Sequence, residues 1–250
     1  MAVSIKSARE IELMREAGKR LAHVHQELEA MIAPGISTWE IDAKGEKLIR
    51  DCGCIPNFLH YNGYPASICV SVNDEVVHGI PRKDRYLKEG DIVSLDAGLI
   101  YKGYHSDAAR THAVGKVSTE AQKLMDVTKQ SFFEDIKMAK EGQHLHDISR
   151  AIEEYVTPYG YGIVRDLVGH GIGTALHEDP QIPNYAQKRR GVRLQAGMTL
   201  AIEPMINAGT WQVRFLRDGW TVVTKDGSLS AHYENTILVT DGEPEILTLY

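Results

Sequence analysis

Apolar residues recur at near-helical spacing from Ile11 onward: Ile11, Met14, Leu21, Leu28 and Met31, with Gly18 and His25 on the same stripe. Residues three and four apart share one face of an α-helix, so the pattern predicts a long first helix with one buried side. Ser7 with Glu10 is the capping-box pattern that opens such a helix. Pro34-Gly35 is a natural place to end it. Ser37 with Glu40 repeats the box and predicts a second helix to about Arg50. The period then changes. Ile68–Val72 and Asp91–Tyr101 read as strands, Lys102-Gly103 as a tight turn, and Tyr104–Val114 as the returning strand. Beyond Ser118 a similar course runs again. A helix is expected to about Lys140, then Gly142, then a helix from about Leu145 to Val156. Strand-like runs follow at Ile163–Val168, Met198–Ile206 and His232–Val239.

The two courses are in register. MIAPG at 31–35 returns as MAKEG at 138–142, 107 positions on. EGDIVSLDAG and QAGMTLAIEP align at the same offset, which matches Gly90 to Gly197 and Asp96 to Glu203. A shared offset, pattern and acidic residue predict a duplicated α+β fold. It would be a single domain over residues 1–250, in two halves of about 1–117 and 118–250. A pseudo-twofold would set Asp96 and Glu203 on equivalent strands facing one central cavity, with helices flanking an antiparallel sheet.

Composition narrows the class. Of 250 residues, 43% are hydrophobic and 25% charged, as in ordinary globular proteins. A net charge of −6 argues against a specific nucleic-acid binder. No apolar run approaches the roughly 18 residues of a membrane span, and the charged N-terminus lacks the apolar centre of a secretory signal. Three cysteines, Cys52, Cys54 and Cys69, form no even framework. They read as free thiols, and a reducing cytoplasm is the expected location. Lys188, Arg189, Arg190 and Arg193 make the densest basic run, ordinarily a solvated loop.

Against this background four carboxylates stand in apolar surroundings. With Lys102-Gly103 as hairpin centre, Asp96 lies opposite Ala109. Asp107 then falls two residues from Ala109 on the same face, about 7–8 Å away. Glu203 stands in LAIEPMI and Glu234 in HYENTILV, both resembling buried strands. A lone charge there needs a partner, and strand lysines or arginines are too few to pair all four. His170, in VGHGIG, sits between glycines that leave its imidazole free to face a site. His177 follows seven residues later, and His78 occupies another glycine-bearing turn, VVHGIP. His23, His25, His144 and His146 read as surface or packing residues. Four carboxylates and one imidazole suit a pair of divalent ions, with Mn²⁺, Fe²⁺ or Co²⁺ fitting at least as well as Zn²⁺. Two such ions activate a shared water for hydrolysis.

The motifs NGYPASICVSVN, VVHGIP, GDIVSLDAG, HSDAART, GHGIGTALHEDPQIPNY, GMTLAIEPMIN and DGWTVVTKDGSLSAHYENT run in order over nearly the whole chain, to ILTLY. In these the sequence resembles the type I methionine aminopeptidases, a dinuclear-metal peptidase family of pita-bread fold. The resemblance implies removal of the N-terminal methionine from nascent chains whose second residue is small. It implies that Asp96 and Asp107 hold one ion and His170 and Glu203 the other, with Asp107 and Glu234 bridging. Glu203 would shuttle the proton of the attacking water. His177 would contact the scissile carbonyl or amide, and His78 the amide nitrogen of the cleaved bond. The methionine pocket would be Tyr61, Tyr64, Cys69 and Trp220, with Phe58 and Leu176 alongside. A monomer is implied, and the basic run would give a transient ribosome contact.

The spacing refines the resemblance. Only 31 residues separate Glu203 from Glu234, too few for the helical insertion of type II enzymes. With no zinc-binding extension before the first helix, a bacterial-type enzyme is expected. Prolidase and aminopeptidase P, the Xaa-Pro relatives, carry a further N-terminal domain. A non-enzymatic binding module of this fold would have lost ligands, and none is missing here. The chain departs from the family at Asn235, where many relatives have histidine. It departs also at Glu75, an unusual neighbour for an alkali-ion site near Asn73 and Ser230. The chain's own Met1-Ala2 start resembles the substrate.

Overall fold

Both predicted capping boxes form. The Ser7 amide donates to Glu10 Oε2 at 2.7 Å and the Ser37 amide to Glu40 Oε2 at 2.8 Å, satisfying donors that a helix start leaves open. They open helices α1 (Ala8–Glu29) and α2 (Thr38–Asp51) in a computed structural model that describes residues 3–249. Met1-Ala2 therefore lies outside the described residues. The first half continues through strands β1 (Ile55–Pro56), β2 (Ile68–Val72), β3 (Glu75–Val77), β4 (Ile92–Tyr101) and β5 (Tyr104–Ala113). Helices α3 (Thr119–Asp135) and α4 (Leu145–Val156) open the second. Strands β6 (Gly162–Ile163), β7 (Gly169–Gly171), β8 (Glu178–Ile182), β9 (Thr199–Ile202) and β10 (Met205–Asn207) follow. The chain closes with β11 (Val213–Phe215), β12 (Val222–Thr224), β13 (Ser230–His232), β14 (Glu234–Leu238) and β15 (Glu245–Ile246).

One antiparallel sheet organises the molecule, in the order β1-β4-β5-β14-β9-β7-β8, with β2 also on β4 and β15 also on β14. Two three-stranded sheets, β13-β10-β6 and β11-β12-β3, flank it. Each helix pair covers its own half. Leu21, Val24 and Leu28 of α1 and Ile41 of α2 pack on Val93, Leu95 and Leu99 of β4. Phe132 of α3 and Leu145 and Ile148 of α4 pack on Leu200, Ile202 and Ile237. Each such buried side chain contributes about 1.5–3 kcal/mol, so the sheet is held from both ends by helices that leave its centre for other work. No helix among the described residues is long and apolar enough to cross a membrane.

The offset of 107 runs through the structure. Gly35 and Gly142, with φ of +93° and +87°, donate their amides to Leu87 and Leu194. Ser37 and His144 each begin a helix with an acidic residue three positions on. Each also bridges a residue 49 further along, Tyr86 and Arg193 respectively.

Some boundaries differ from the sequence reading. Helix α1 stops at Glu29, before Pro34-Gly35, because Met31, Ile32 and Ile36 turn back onto the core. Helix α3 ends at Asp135 and tightens into a short 3₁₀ turn, Ile136–Met138, rather than reaching Lys140. The run at 163–168 is strand only at its start, as Gly162–Ile163, since β10 begins at Met205, whose carbonyl takes the Val164 amide at 3.0 Å as the last bond between them. The runs at 198–206 and 232–239 are each broken in the middle. Pro204, with no N–H to give a ladder, parts β9 from β10. At Tyr233 the chain leaves the small sheet as β13 and enters the large one as β14. The two breaks meet, for the Tyr233 amide donates to Pro204 O at 3.2 Å.

Candidate metal centre

Five adjacent strands of the large sheet each bring one of the five residues. In sheet order they are Asp96 on β4, Asp107 on β5, Glu234 on β14, Glu203 just past β9 and His170 on β7. The register explains the convergence. Asp96 and Glu234 both lie opposite Ala109, one from each side. Residues directly opposite share a face, and alanine between them leaves room for two carboxylates to lean together. Asp107 is on that face two residues along, as the hairpin count predicted, because Lys102-Gly103 does form the turn between Tyr101 and Tyr104. His170 lies opposite Ala201 on β9, and Pro204 frees Glu203 from the ladder. Asp107 is further anchored through its backbone: its N–H donates to Thr236 Oγ1 at 3.0 Å, and that hydroxyl donates to Asp107 O at 2.8 Å. Below the sheet, the buried His25 ring bonds Ala108 O at 2.8 Å, a packing role.

The charges are costly as they stand. Burial raises the pKa of Asp96 to about 7. Burial, with the neighbouring carboxylates adding to it, pushes Asp107, Glu203 and Glu234 well above the ordinary range. One oxygen of each of Asp96, Asp107 and Glu234 is buried with no hydrogen-bond partner among the described residues. The ion-pair distances they do make run to histidine. His170 Nε2 is 3.9 Å from Asp107 Oδ2 and 3.8 Å from Glu203 Oε1. These are too long for hydrogen bonds and suit donors sharing one cation. His170 Nδ1 bonds Gly171 O at 2.8 Å, so the proton sits there and Nε2 is open to a ligand. Its pKa is depressed to about 3, first by burial and then by His177, which keeps the ring neutral. Orphaned carboxylate oxygens and an oriented neutral imidazole fit a divalent metal centre.

The centre forms the floor of a cavity of about 200 Å³. All thirteen site residues expected from the sequence line it, together with Asn62. Phe58, Tyr61, Tyr64, Leu176 and Trp220 make an apolar wall, with Tyr64 and Trp220 packed edge to face at 5.2 Å between centroids. Cys69 pairs with Asp96 across β2 and β4; burial first, then the nearby Asp96, holds its thiol protonated. His177 is held by Tyr61, whose hydroxyl is 2.8 Å from Nδ1. His78 sits at φ +59°, a conformation uncommon outside glycine and enriched at working sites. Burial lowers its pKa to about 4, so it too is neutral.

The sequence reading missed two residues. Asn62 lines the cavity from a 3₁₀ turn that no periodicity marks. His232 lies fully buried with Nε2 3.7 Å from Glu203 Oε2 and 3.8 Å from Glu234 Oε2. Its position two residues before Glu234, hence on the same side of an extended chain, was the available signal. Asn235 turns to the other face: its Oδ1 accepts from Arg110 Nη2 at 2.5 Å and Thr248 Oγ1 at 2.9 Å. Asn73 and Ser230 do come together, the Ser230 amide donating to Asn73 O at 2.9 Å, while Glu75 is paired with Arg85 at 3.1 Å. Of the basic run, Arg190 pairs with Asp147 at 3.2 Å, and all four residues are exposed.

Comparison with known proteins agrees with this geometry. Residues 12–241 match the model of metallopeptidase family M24. A methionine aminopeptidase of Clostridium acetobutylicum is 53% identical over 99% of both chains. The crystal structure of a methionine aminopeptidase from Thermotoga maritima superposes with a TM-score of 0.97 at 46% identity, covering each chain completely. An Xaa-Pro dipeptidase from Bacillus anthracis is more distant, with a TM-score of 0.80 and 26% identity; the match covers 98% of this chain and 61% of that one. The resemblance read from the motifs is borne out: the chain belongs to metallopeptidase family M24 and stands there with the bacterial methionine aminopeptidases.

Proposed function

We propose that this chain removes the N-terminal methionine from nascent proteins and peptides with a small second residue. The observation that carries the proposal is the row of four buried carboxylates and His170 at the floor of an aromatic-walled cavity. Asp96 and Asp107 would hold one divalent ion and His170 and Glu203 another, with Asp107 and Glu234 bridging. Divalent ions there supply a nucleophilic water of lowered pKa and polarise the scissile carbonyl. Glu203 takes the proton of the attacking water, a task open to a carboxylate set at the cavity just past the end of β9. His177, oriented by Tyr61, donates toward the carbonyl as negative charge develops on its oxygen. His78, neutral and fixed beside Trp220, serves the leaving amide nitrogen. Tyr61, Tyr64, Cys69, Trp220, Phe58 and Leu176 receive the methionine side chain, where aromatic faces and a soft thiol suit a flexible thioether. The two halves, 1–117 and 118–250, act as one catalytic domain with the centre between them. We place the enzyme in the cytoplasm as a monomer, charged with Co²⁺, Mn²⁺, Fe²⁺ or Zn²⁺.

The direct test uses chelator-stripped protein given each of these metals anaerobically. Metal-dependent release of methionine from Met-Ala-Ser, with no cleavage of Ala-Pro-Ala, is the expected result. Cleavage of the Ala-Pro bond alone would move the chain to the Xaa-Pro peptidases. A folded protein inactive with every metal would refute the enzyme reading.

The exposed Lys188, Arg189, Arg190 and Arg193 would touch ribosomal RNA, because the substrate is a nascent chain and the rest of the protein is acidic. Reversing the charge of Lys188, Arg189 and Arg190 is expected to reduce co-sedimentation with ribosomes at low salt. Unchanged co-sedimentation would end that proposal.

A further inference from the structure

His232 carries chemistry that the five-residue set leaves unused. It ends β13, and its backbone is clamped by Thr111: the His232 amide donates to Thr111 Oγ1, and that hydroxyl donates to His232 O, both at 2.8 Å. The ring is 1% exposed, and neither nitrogen has a hydrogen-bond partner among the described residues. Leaving buried polar groups unsatisfied is expensive, about 1–3 kcal/mol each, so a ligand is called for.

The distances say which. Nε2 lies 3.8 Å from Glu234 Oε2, the carboxylate expected to bridge both ions, and its 3.7 Å approach to Glu203 Oε2 sets it beside the second donor set. Two donors that each sit about 2.0–2.2 Å from a shared ion stand between roughly 3 and 4 Å apart. His170 shows the same signature toward Asp107 and Glu203, at 3.9 and 3.8 Å. The donor atoms of Asp107, His170 and Glu234 lie within 4.8 Å of one another, and so do those of Asp96, His232 and Glu234. The centre thus contains two overlapping triads that share Glu234, each with one imidazole.

We propose that His232 Nε2 is a direct ligand of the ion held by Asp96 and Glu234, so that each of the two ions takes one imidazole. The inference rests on the dinuclear reading above. With neither ring nitrogen engaged by a hydrogen bond among the described residues, the imidazole has a nitrogen lone pair to offer that ion. An added nitrogen donor also shifts that ion's site toward Co²⁺ and Zn²⁺ and away from Mn²⁺.

The test is a Co²⁺ titration of the stripped full-length protein, followed by calorimetry and by the visible absorption of the bound metal. The unaltered chain should take two equivalents. His232→Gln should keep one site unchanged and weaken the other by at least about tenfold, since even outer-shell losses cost that much. Its second-equivalent absorption should change as well. Two equivalents with unchanged affinity and spectrum in His232→Gln would overturn the inference alone. No Co²⁺ uptake by the unaltered chain would overturn it together with the dinuclear reading. X-ray absorption on the unaltered protein with two Co²⁺ bound needs no variant: one imidazole per cobalt is expected, and an average of one half would refute it.

Discussion

Replacing Glu203 by glutamine should lower kcat on Met-Ala-Ser by at least about a thousandfold while KM changes little. The variant keeps the size of the side chain and one oxygen donor but cannot take up a proton. General acid–base help is worth about 10²–10⁴ in rate, and a thousandfold is about 4 kcal/mol of barrier. The position makes the loss severe. Glu203 sits past the end of β9, freed by Pro204, where burial first and then Asp96 raise the pKa of its carboxyl in the metal-free chain. Metal content must be measured alongside. A variant with full metal content and kcat within tenfold of the original would remove the proton-shuttle role. A variant lacking metal would show only that Glu203 is needed as a ligand.

The second large effect is on stability. Asp96, Asp107, Glu203 and Glu234 bind protons more tightly in the folded metal-free chain than when unfolded. Their contribution is fully present below the unfolded carboxylate range and is lost as pH rises through the raised values, about 7 for Asp96. The depressed imidazoles of His25, His78, His105, His112, His170, His177 and His232 act the other way, favouring the folded state as pH climbs through about 6.5. About one pH unit higher those imidazoles have lost their protons in the unfolded chain as well, and the carboxylates decide the slope. The stripped protein should therefore lose stability from about pH 7.5 upward. A one-proton difference costs about 1.4 kcal/mol per pH unit, or roughly 3–6 °C in Tm for a chain of this size. Protein saturated with Mn²⁺ should show a much flatter profile, because the ion replaces the protons. Thermal melts of both forms over this range are the measurement. A flat profile for the stripped form would mean that these carboxylates are not clustered and buried as described.

Much of this was legible in the sequence, for local reasons. Both capping boxes lie within four residues, and helix periodicity needs only a single face, so α1, α2 and α4 could be read directly. The β4–β5 hairpin follows from one turn, and its register alone set Asp96 opposite Ala109. The breaks in the later strands were not legible. An apolar run such as TLAIEPMIN does not say that its two ends belong to different sheets. That depends on Tyr233 and Pro204 meeting across 29 residues of chain. Strand β7 is Gly-His-Gly, with no hydropathy to alternate. His232 was passed over because its meaning lies in Glu203 as much as in its neighbour Glu234, and only the folded sheet brings Glu203 near.

The five-strand origin of the centre also bears on kinetics. Asp96 and Asp107 belong to one hairpin, but His170, Glu203 and Glu234 arrive only when strands far apart in sequence have paired. Such non-local pairings form late, because chain closure must be met before they return any energy. The ion's full set of donors is therefore complete only when the last of these strands has paired. Interactions absent at the barrier leave the folding rate alone and slow unfolding. An ion bound there is expected to act as a latch on a finished molecule: stripping it should speed unfolding and leave the refolding rate unchanged.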